Sequence, residues 1–398
     1  MQRPDLSTLA CVNADCQHYG QPGQGNLTIR KVYGQDGIRL LRCSSCQEEF
    51  SERRNTALFN TKVSEAKAEE IIDHLDEGCS VRSTSRLTKA AKATIARLLK
   101  TSGRHAERFH NQEVHDLRPK AIEFDEQWSF VKKKQKNCTP EESHQAGDFW
   151  DHTVIAPDSK LIVSLVVGKR TKDQTQDLVN DTQSRLQKGH LPALFSDGYE
   201  GYEPSILEAF GRRYKAPQTG SAGRPRLDIV RWPQGLAYGQ IIKSTKEQLS
   251  DGIHLKVIRG KVKLLHTLDL LGYNKINTSS IERHNGTSRL HNQRKVRKTL
   301  AFSKSHLYHG WMSWLSVVQY NFCRAHGSLR VKDESGIHHR TPAMASGLTH
   351  RIWTTRDWLL RPVLGGGRII TGHDRFFLYP ELFINLKNRP DKATLWSR

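Results

Sequence analysis

Two short runs of alternating apolar and polar residues lie in the first 60 residues of the chain. They are Leu27–Tyr33 and Ile38–Cys43, and they flank the turn sequence Gly34-Gln-Asp-Gly37. Alternation with a period of two places every second side chain on the same face of a strand. The pattern therefore predicts a β-hairpin.

Four cysteines bracket this hairpin in two closely spaced pairs. Cys11 and Cys16 precede the first run, and Cys43 and Cys46 end the second. Two short knuckles can each present two thiolates to one zinc ion, and four thiolates leave no open position for water. We therefore predict a structural Zn²⁺ site in a zinc ribbon. The remaining cysteines occur singly and are expected to be core thiols: Cys79, Cys138 and Cys323.

The apolar spacing becomes helical after Ser64. It predicts a first helix that ends at Gly78, a short segment at 81–87 and a third helix at 90–100. Helix, glycine-containing turn and basic helix form a helix-turn-helix, which reads DNA. The charged stretch 105–120 predicts the end of this domain. We expect basic residues of the third helix to contact DNA: Lys92, Arg97 and Lys100.

The next part of the chain predicts four strands and two helices. In chain order they are strands 122–130, 150–156 and 161–168, a helix at 173–188, a strand at 193–197 and a helix at 204–210. The third of these strands is nearly all apolar, so we expect it to be central in its sheet. The order of the elements is that of an RNase H-like fold, in which the first and fourth strands lie side by side. The fold class is therefore mixed α/β.

Acidic residues occupy two places in this pattern that suit a metal site. Asp125 lies in the first strand, opposite the apolar face formed by Ile122 and Phe124, and Asp197 ends the fourth strand. Neighbouring strands would bring the two carboxylates together. Carboxylates can hold two divalent ions about 4 Å apart that activate the attacking oxygen and stabilise the leaving oxygen of a phosphodiester. We therefore predict a site for two Mg²⁺ or Mn²⁺ ions.

A third carboxylate is expected from a later helix. Glu282 is the candidate, because Asn277 or Thr278 can cap a helix that carries it in the first turns. Solvated surface carboxylates are the alternative interpretation of all three acids, and Asp197-Gly198 is also a common turn dipeptide. Other nearby acids compete for a metal role: Glu126, Asp148 and Asp151.

The helix that carries Glu282 is predicted to continue into a strongly basic stretch. Residues 283–304 contain no acidic residue, and such a density of positive charge suits phosphate contacts beside a scissile bond. The residues expected to contact DNA are Arg283, Arg289, Arg294, Lys295, Arg297 and Lys298. Within the same stretch, His284 is more simply explained as a polar residue on the helix face than as a ligand.

Charge points to a polyanionic partner. The chain has 62 Lys and Arg residues against 41 Asp and Glu residues, a formal net charge of +21. Nucleic acid is the expected partner. We expect no membrane association, because the longest mainly apolar run, Leu161–Val167, is too short to span a bilayer. The amino terminus lacks the apolar region of a signal peptide, which indicates a reducing cytoplasm.

The motifs together resemble a known family, the DDE-type transposases of bacterial insertion sequences. The chain is most similar to the insertion-sequence-one family in its longer, single-chain form, over roughly residues 10–350. Besides the ribbon and the helix-turn-helix, the resemblance rests on seven motifs. They begin at Phe50, Asp125, Ser196, Asn277, Arg297, Tyr320 and Thr341 and read FSERRNTALF, DEQWSF, SDGYEGY, NTSSIERHN, RKTLAFSK, YNFCRAH and TPAMASGL.

This resemblance implies a function. Asp125, Asp197 and Glu282 take the places of the family's metal-binding triad, and the reaction is cleavage at element ends followed by joining to target DNA. The implied partners are double-stranded DNA, as terminal repeats and as target, and further copies of the chain in a homodimer or larger assembly. The implied location is the prokaryotic cytoplasm, at the nucleoid. Two other functions fit the same residues: an inactive DNA-binding regulator, and a nuclease that does not join.

One departure from the family concerns the long separation between Asp197 and Glu282. It predicts an insertion with its own structure at about 216–275, including a basic hairpin at Leu255–Leu265.

A helix at Leu307–Phe322 is expected to pack in the core. The predicted domains are a zinc ribbon (1–60), a helix-turn-helix (61–118), a catalytic core (119–325) and a C-terminal accessory segment (326–398).

Overall fold

The amino-terminal ribbon is a small antiparallel sheet. The structure is a computed structural model that describes residues 3–216, 228–243 and 253–363. Its first three strands pair in the order β1-β2-β3, which confirms the predicted hairpin. The turn begins and ends with Gly34 and Gly37, both at positive φ, where glycine has no steric penalty. The strands are β1 (Leu27–Tyr33), β2 (Ile38–Cys43) and β3 (Glu49–Ser51).

Three helices follow the ribbon. Ser64 and Ser80 cap the first two, because each hydroxyl accepts a hydrogen bond from a backbone N–H of the first turn. The third is longer than expected, and the predicted domain boundary at 105–120 falls partly inside it. Residues 105–113 are mostly polar, which suggested a domain boundary, but Ala106 and Phe109 form part of a buried face of the helix. The helices are α1 (Glu65–Asp76), α2 (Val81–Thr88) and α3 (Lys92–Glu113).

The elements predicted next in the chain are all present. Their bounds are β4 (Ala121–Val131), β5 (Gly147–Ala156), β6 (Leu161–Gly168), α4 (Lys172–Arg185), β7 (Ala193–Asp197) and α5 (Tyr202–Phe210). Alternation with a period of two predicted β4, and a nearly continuous apolar run predicted β6. Thr171 caps α4 through its side chain.

The sequence predicted an insertion with its own structure at 216–275, but two strands among the described residues of this stretch, within 237–259, join the main sheet. The expected hairpin at Leu255–Leu265 is a strand followed by a helix. Gly260, at φ +65°, makes the change of direction. The described elements here are β8 (Arg212–Tyr214), β9 (Ile229–Arg231), β10 (Ala237–Lys243), β11 (Ile253–Arg259) and α6 (Lys261–Leu270).

The central sheet has six strands in the order β11-β10-β7-β4-β5-β6. Strand β7 is parallel to both of its neighbours, β4 and β10, and the other pairs are antiparallel. Strand β6 therefore lies at an edge, not at the centre as predicted. It is nevertheless apolar because its residues from Leu161 to Val166 are buried. Burial, rather than position in the sheet, explains its sequence.

Helices from the second half of the chain cover the sheet. The helix that carries Glu282 ends at His291, so the predicted helical basic stretch to residue 304 is wrong beyond that point. The apolar helix expected at Leu307–Phe322 packs against α3 and ends in a π-helical turn, Gln319–Cys323. The remaining elements are α7 (Ser279–His291), α8 (His306–Val318), β12 (Val331–Asp333), β13 (Gly336–His338), α9 (Pro342–Ala345) and α10 (Thr355–Leu359).

The segment around α10 returns to the amino-terminal helices. Arg356 pairs with Glu65 of α1 at 2.7 Å, and His105 of α3 bonds the carbonyl of Trp358 at 3.0 Å. The glycines at 365–367 and the aromatic patch at 376–379 lie outside the described residues. Within the described ranges, no helix is both long and apolar enough to cross a bilayer.

Candidate functional site

Strand register brings Asp125 and Asp197 together. In the parallel pair of β4 and β7, Glu123 lies opposite Phe195. Two residues further along each strand, the same register places Asp125 beside Asp197, the last residue of β7. Side chains two apart in a strand share a face. The expected meeting of these two carboxylates is therefore found in the structure.

Glu126 joins the two aspartates. Carboxylate oxygens of Asp125, Glu126 and Asp197 all lie within 4.8 Å of one another. Glu126 is on the opposite face of β4 from Asp125, but β7 ends at Asp197 while β4 continues to Val131. Because no further residue of β7 follows beside β4, side chains from both faces of β4 can reach the Asp197 carboxylate. The sequence offered Glu126 as a competing ligand only, because period two placed it on the apolar face.

Burial and the two neighbouring aspartates disfavour the charged form of Glu126 in this cluster. Burial raises the pKa of Glu126 to about 7; the negative charges of Asp197 and Asp125 also raise it, and Tyr202 and Arg170 act in the opposite direction. Within the described residues, Glu126 Oε1 is buried without a hydrogen-bond partner. A divalent cation would neutralise the repulsion and provide that oxygen with a ligand bond. The cluster therefore fits Mg²⁺ or Mn²⁺.

Helix α7 is attached directly to β4 beside the cluster. Asn285 Nδ2 donates to Asp125 Oδ2 at 2.7 Å, and Gln127 Nε2 donates to the carbonyl of Asn285 at 2.9 Å. Near the start of the helix, the backbone N–H of Ile281 donates to Glu123 Oε2 at 2.8 Å. These bonds fix which face of α7 lies against Asp125. Asn285, which the sequence did not single out as a site residue, positions this carboxylate.

Glu282 lies on α7 one turn before Asn285 and is exposed. It is not one of the described acids that fall within 4.8 Å of the others. Thr278 occupies the N-cap position, and Asn277 Oδ1 accepts from the Ser279 N–H at 3.1 Å, so the predicted helix start is correct. The role of Glu282 as a third ligand stays a prediction.

Asp151 and Lys295 have a different role from the ones considered. Both side chains are buried, and Lys295 Nζ is 2.5 Å from Asp151 Oδ2. Burial alone would raise the pKa of Asp151, but Lys295 and His309 hold it well below its usual value. Lys295 is therefore an interior counter-ion, and its predicted contact with DNA is wrong because its ammonium faces inward. The Asp151 carboxylate is in turn held by Lys295 and His309.

The other residues predicted to contact DNA differ in exposure. Lys100 is partly buried, with its ammonium 5.7 Å from the centre of the Trp311 ring, and Arg289 and Arg294 are also partly buried. His284 is buried beside Tyr320 rather than on a polar face. The exposed members of the set are Lys92, Arg97, Arg283, Arg297 and Lys298.

The four cysteines of the ribbon form the second cluster. The Sγ atoms of Cys11 and Cys46 are 3.6 Å apart, and those of Cys16 and Cys43 are 3.9 Å apart. Tetrahedral zinc with Zn–S bonds of about 2.3 Å requires sulfur atoms about 3.8 Å apart. Asn26 Nδ2 donates to Cys43 Sγ at 3.1 Å, which favours the thiolate. The group could therefore bind zinc.

Comparisons with known proteins give little similarity. No family model matches the chain, and no curated protein matches it. Among solved structures, the chain is similar to one in the "Crystal structure of the Mos1 Strand Transfer Complex", with 12% sequence identity and a TM-score of 0.15. The match covers 35% of this chain and 52% of that chain, about half its length. A TM-score of this size does not establish a shared fold.

Proposed function

We propose that the chain is a DNA transposase of the DDE type. In this proposal it is a metal-dependent polynucleotidyl transferase that cleaves DNA at the ends of an insertion element and joins the strands to target DNA. The observation that carries the proposal is the carboxylate cluster of Asp125, Glu126 and Asp197, built where two neighbouring parallel strands run side by side.

The order of the central strands supports an RNase H-like core. Strands β4, β5 and β6 form an antiparallel meander, and β7 and β10 extend the sheet on the other side of β4 in parallel. The adjacency of β4 and β7 is the one expected from the sequence, and β10 and β11 extend the sheet beyond β7. The arrangement supports an active site at β4 and the end of β7.

The metal ligands of this proposal are Asp125 and Asp197, with Glu282 or Glu126 as the third carboxylate. Bound divalent ions would activate the attacking oxygen and stabilise the leaving oxygen of a phosphodiester. The chain itself positions the ligands: Asn285 holds Asp125, and the backbone N–H of Tyr199 holds Asp197 Oδ1 at 2.9 Å.

DNA binding in this proposal uses two parts of the described chain, the amino-terminal domain and the surface around α7. The ribbon with its structural zinc and helices α1–α3 would read the terminal repeats, and the exposed arginines and lysines around α7 would contact phosphates near the site. The net charge of +21 supports a polyanionic partner. As the family resemblance implies, at least two copies of the chain would hold the two element ends in one assembly.

A cleavage assay tests the proposal. Purified protein is incubated with labelled duplexes that carry the element ends and with Mn²⁺, and wild type is compared with Asp125→Asn. We expect the variant to lose at least about a hundredfold in rate, because it removes a ligand charge at the reacting centre. Asp148→Asn is the matched control, since Asp148 lies outside the cluster. Undiminished cleavage by Asp125→Asn would contradict the proposal.

Products of the same assay separate the alternatives. Strands joined to a target duplex are expected of a transposase, whereas a nuclease releases cleaved ends without joining them. Binding to the element ends without any cleavage would indicate a regulator. The third ligand is identified by comparing Glu282→Gln with Glu126→Gln, since the true ligand shows the larger loss.

A further inference from the structure

Arg170 is directed at the carboxylate cluster from the loop between β6 and α4. Its Nη2 atom is 3.2 Å from Glu126 Oε2 and 3.9 Å from Asp197 Oδ2. Both oxygens belong to residues of the candidate metal site. The arginine side chain is 34% exposed, so the cation lies at the edge of the cluster and not in the core.

Two aromatic rings flank the guanidinium. Its Cζ atom is 4.2 Å from the centre of the Tyr199 ring and 5.0 Å from the centre of the Trp150 ring. Aromatic faces attract a guanidinium, and they stack on it without using its hydrogen-bond donors. Tyr199 is ordered by the same turn that orders Asp197, through its backbone N–H. The aromatic pair therefore keeps Arg170 beside the cluster even when its carboxylate partners change.

A divalent ion and Arg170 would compete for the same two carboxylates, those of Glu126 and Asp197. An ion ligated by Glu126 and Asp197 would lie within a few ångströms of the guanidinium and repel it, since both are cations. Arg170 offers five donors that match a phosphate geometrically. When an ion takes the carboxylates of Glu126 and Asp197 from Arg170, the phosphate of an entering DNA strand can replace them as its anionic partner.

We propose that Arg170 occupies the carboxylate cluster while it holds no divalent ion, and that it transfers to a DNA phosphate when ions and DNA bind together. This inference rests on the proposed function, because it takes the cluster to be the divalent-ion site. Arg170 would then weaken ion binding in the absence of DNA and strengthen DNA binding in the presence of ions. It couples the two binding events.

Mn²⁺ binding to the full-length, zinc-loaded protein without DNA tests the first half of this inference. Electron paramagnetic resonance of free Mn²⁺ gives the Kd for wild type, Arg170→Gln and the control Lys172→Gln. Lys172→Gln removes the same charge two residues further along, at the start of α4, where the lysine side chain is 75% exposed and its Nζ lies 4.0 Å from Glu200 Oε1, outside the cluster. We expect Arg170→Gln to bind Mn²⁺ about tenfold more tightly than wild type, as for removal of a close charge. Lys172→Gln should match wild type.

Binding of a labelled duplex tests the second half. Arg170→Gln should weaken DNA binding several-fold in Mn²⁺ and should leave it unchanged in buffer without added divalent ions, where zinc stays in the ribbon and the arginine is held by the carboxylates. A purely structural role would not move the two affinities in opposite directions. Equal Mn²⁺ affinity in wild type and Arg170→Gln would overturn the inference while leaving the proposed function intact.

Two further outcomes are decisive. If neither protein binds Mn²⁺ at a site that is lost in Asp197→Asn, both this inference and the proposed function fail. If Arg170→Gln does not fold, Arg170→Met replaces it, because methionine keeps an unbranched stem that can pack between the two aromatic rings but carries no charge. Arg170→Met should bind Mn²⁺ more tightly than wild type, and equal or weaker binding would overturn the inference.

Discussion

Several histidines lie in the interior of the molecule, where water cannot solvate the protonated, charged form of the ring. Burial lowers the pKa of His105 and of His152 to about 4, and that of His284 to about 3. Each is therefore neutral in the folded protein at pH 7. In the unfolded chain, a histidine binds a proton at a pKa of about 6.5. The unfolded state thus gains protons first as the pH falls, and folding stability falls with it.

His105 allows a clean test at the scale of one residue. Its Nε2 atom lies 3.0 Å from the carbonyl of Trp358, and glutamine can donate to the same carbonyl without acquiring a charge. Stability relative to His105→Gln should be constant above pH 6.5 and should fall by about 3 kcal/mol as the pH approaches 4. Urea unfolding at a series of pH values measures this difference. His115→Gln, an exposed substitution, is the control; a difference between wild type and His105→Gln that does not depend on pH would refute the assignment.

At the scale of elements, the approach of α3 to α8 depends on one glycine. A Cβ atom on Gly103 would lie 2.7 Å from Trp311 Cα, which is closer than backbone atoms can pack. The two helices are in contact there, and α8 also covers the sheet. The position of the amino-terminal helices relative to the core therefore depends on the absence of a side chain at residue 103.

Gly103→Ala should destabilise the protein by about 1–3 kcal/mol, because the extra methyl group forces the helices apart. Gly286→Ala is the matched control. Gly286 is also helical, but a Cβ there has nothing within 4 Å among the described residues. The control should be neutral or more stable by about 0.5–1 kcal/mol, since alanine is the better helix former. Equal effects of the two substitutions in chemical denaturation would show that the helix contact is not as close as described.

The ribbon is an element that a metal should hold together. Cys43 is fully buried at the end of β2 and faces the other three thiols. Cys43→Ser should abolish stoichiometric zinc, measured by elemental analysis of the purified protein, and should expose the ribbon to proteolysis. Cys79→Ser, outside the cluster, should keep its zinc. Full zinc content in Cys43→Ser would rule out the four-thiolate site.

Local patterns in the sequence predicted most elements but not their arrangement. Strand β6 was placed to the residue because an apolar run has clear ends, but the run did not reveal the edge position, since helices bury this edge strand as fully as a central one. Strand β10 was missed as a core strand because its pairing with β7 joins distant parts of the chain. Lys295 looked like a DNA contact because its partner, Asp151, lies on a separate strand. The strand pairing and the ion pair both join residues that are distant in the sequence, so a local periodic pattern cannot predict them.

At the scale of the whole molecule, two candidate metal centres lie in different parts of the fold. The cysteine cluster is in the amino-terminal ribbon, and the carboxylate cluster is in the central sheet. Asp125 and Asp197 were predictable because strand order alone makes them neighbours. Glu126 was named only as a competing ligand, and Arg170 was not named, because it lies in a loop whose direction no local pattern indicates.

The proposed function depends on divalent-ion binding by the carboxylate cluster of Asp125, Glu126 and Asp197. Anomalous X-ray diffraction from crystals of the full-length protein grown with Mn²⁺ tests it most directly. We predict an anomalous peak within about 2.0–2.5 Å of carboxylate oxygens of both Asp125 and Asp197. The peak should be lost in crystals of Asp197→Asn. Clear density for both aspartates with no anomalous peak between them, at saturating Mn²⁺, would contradict the account.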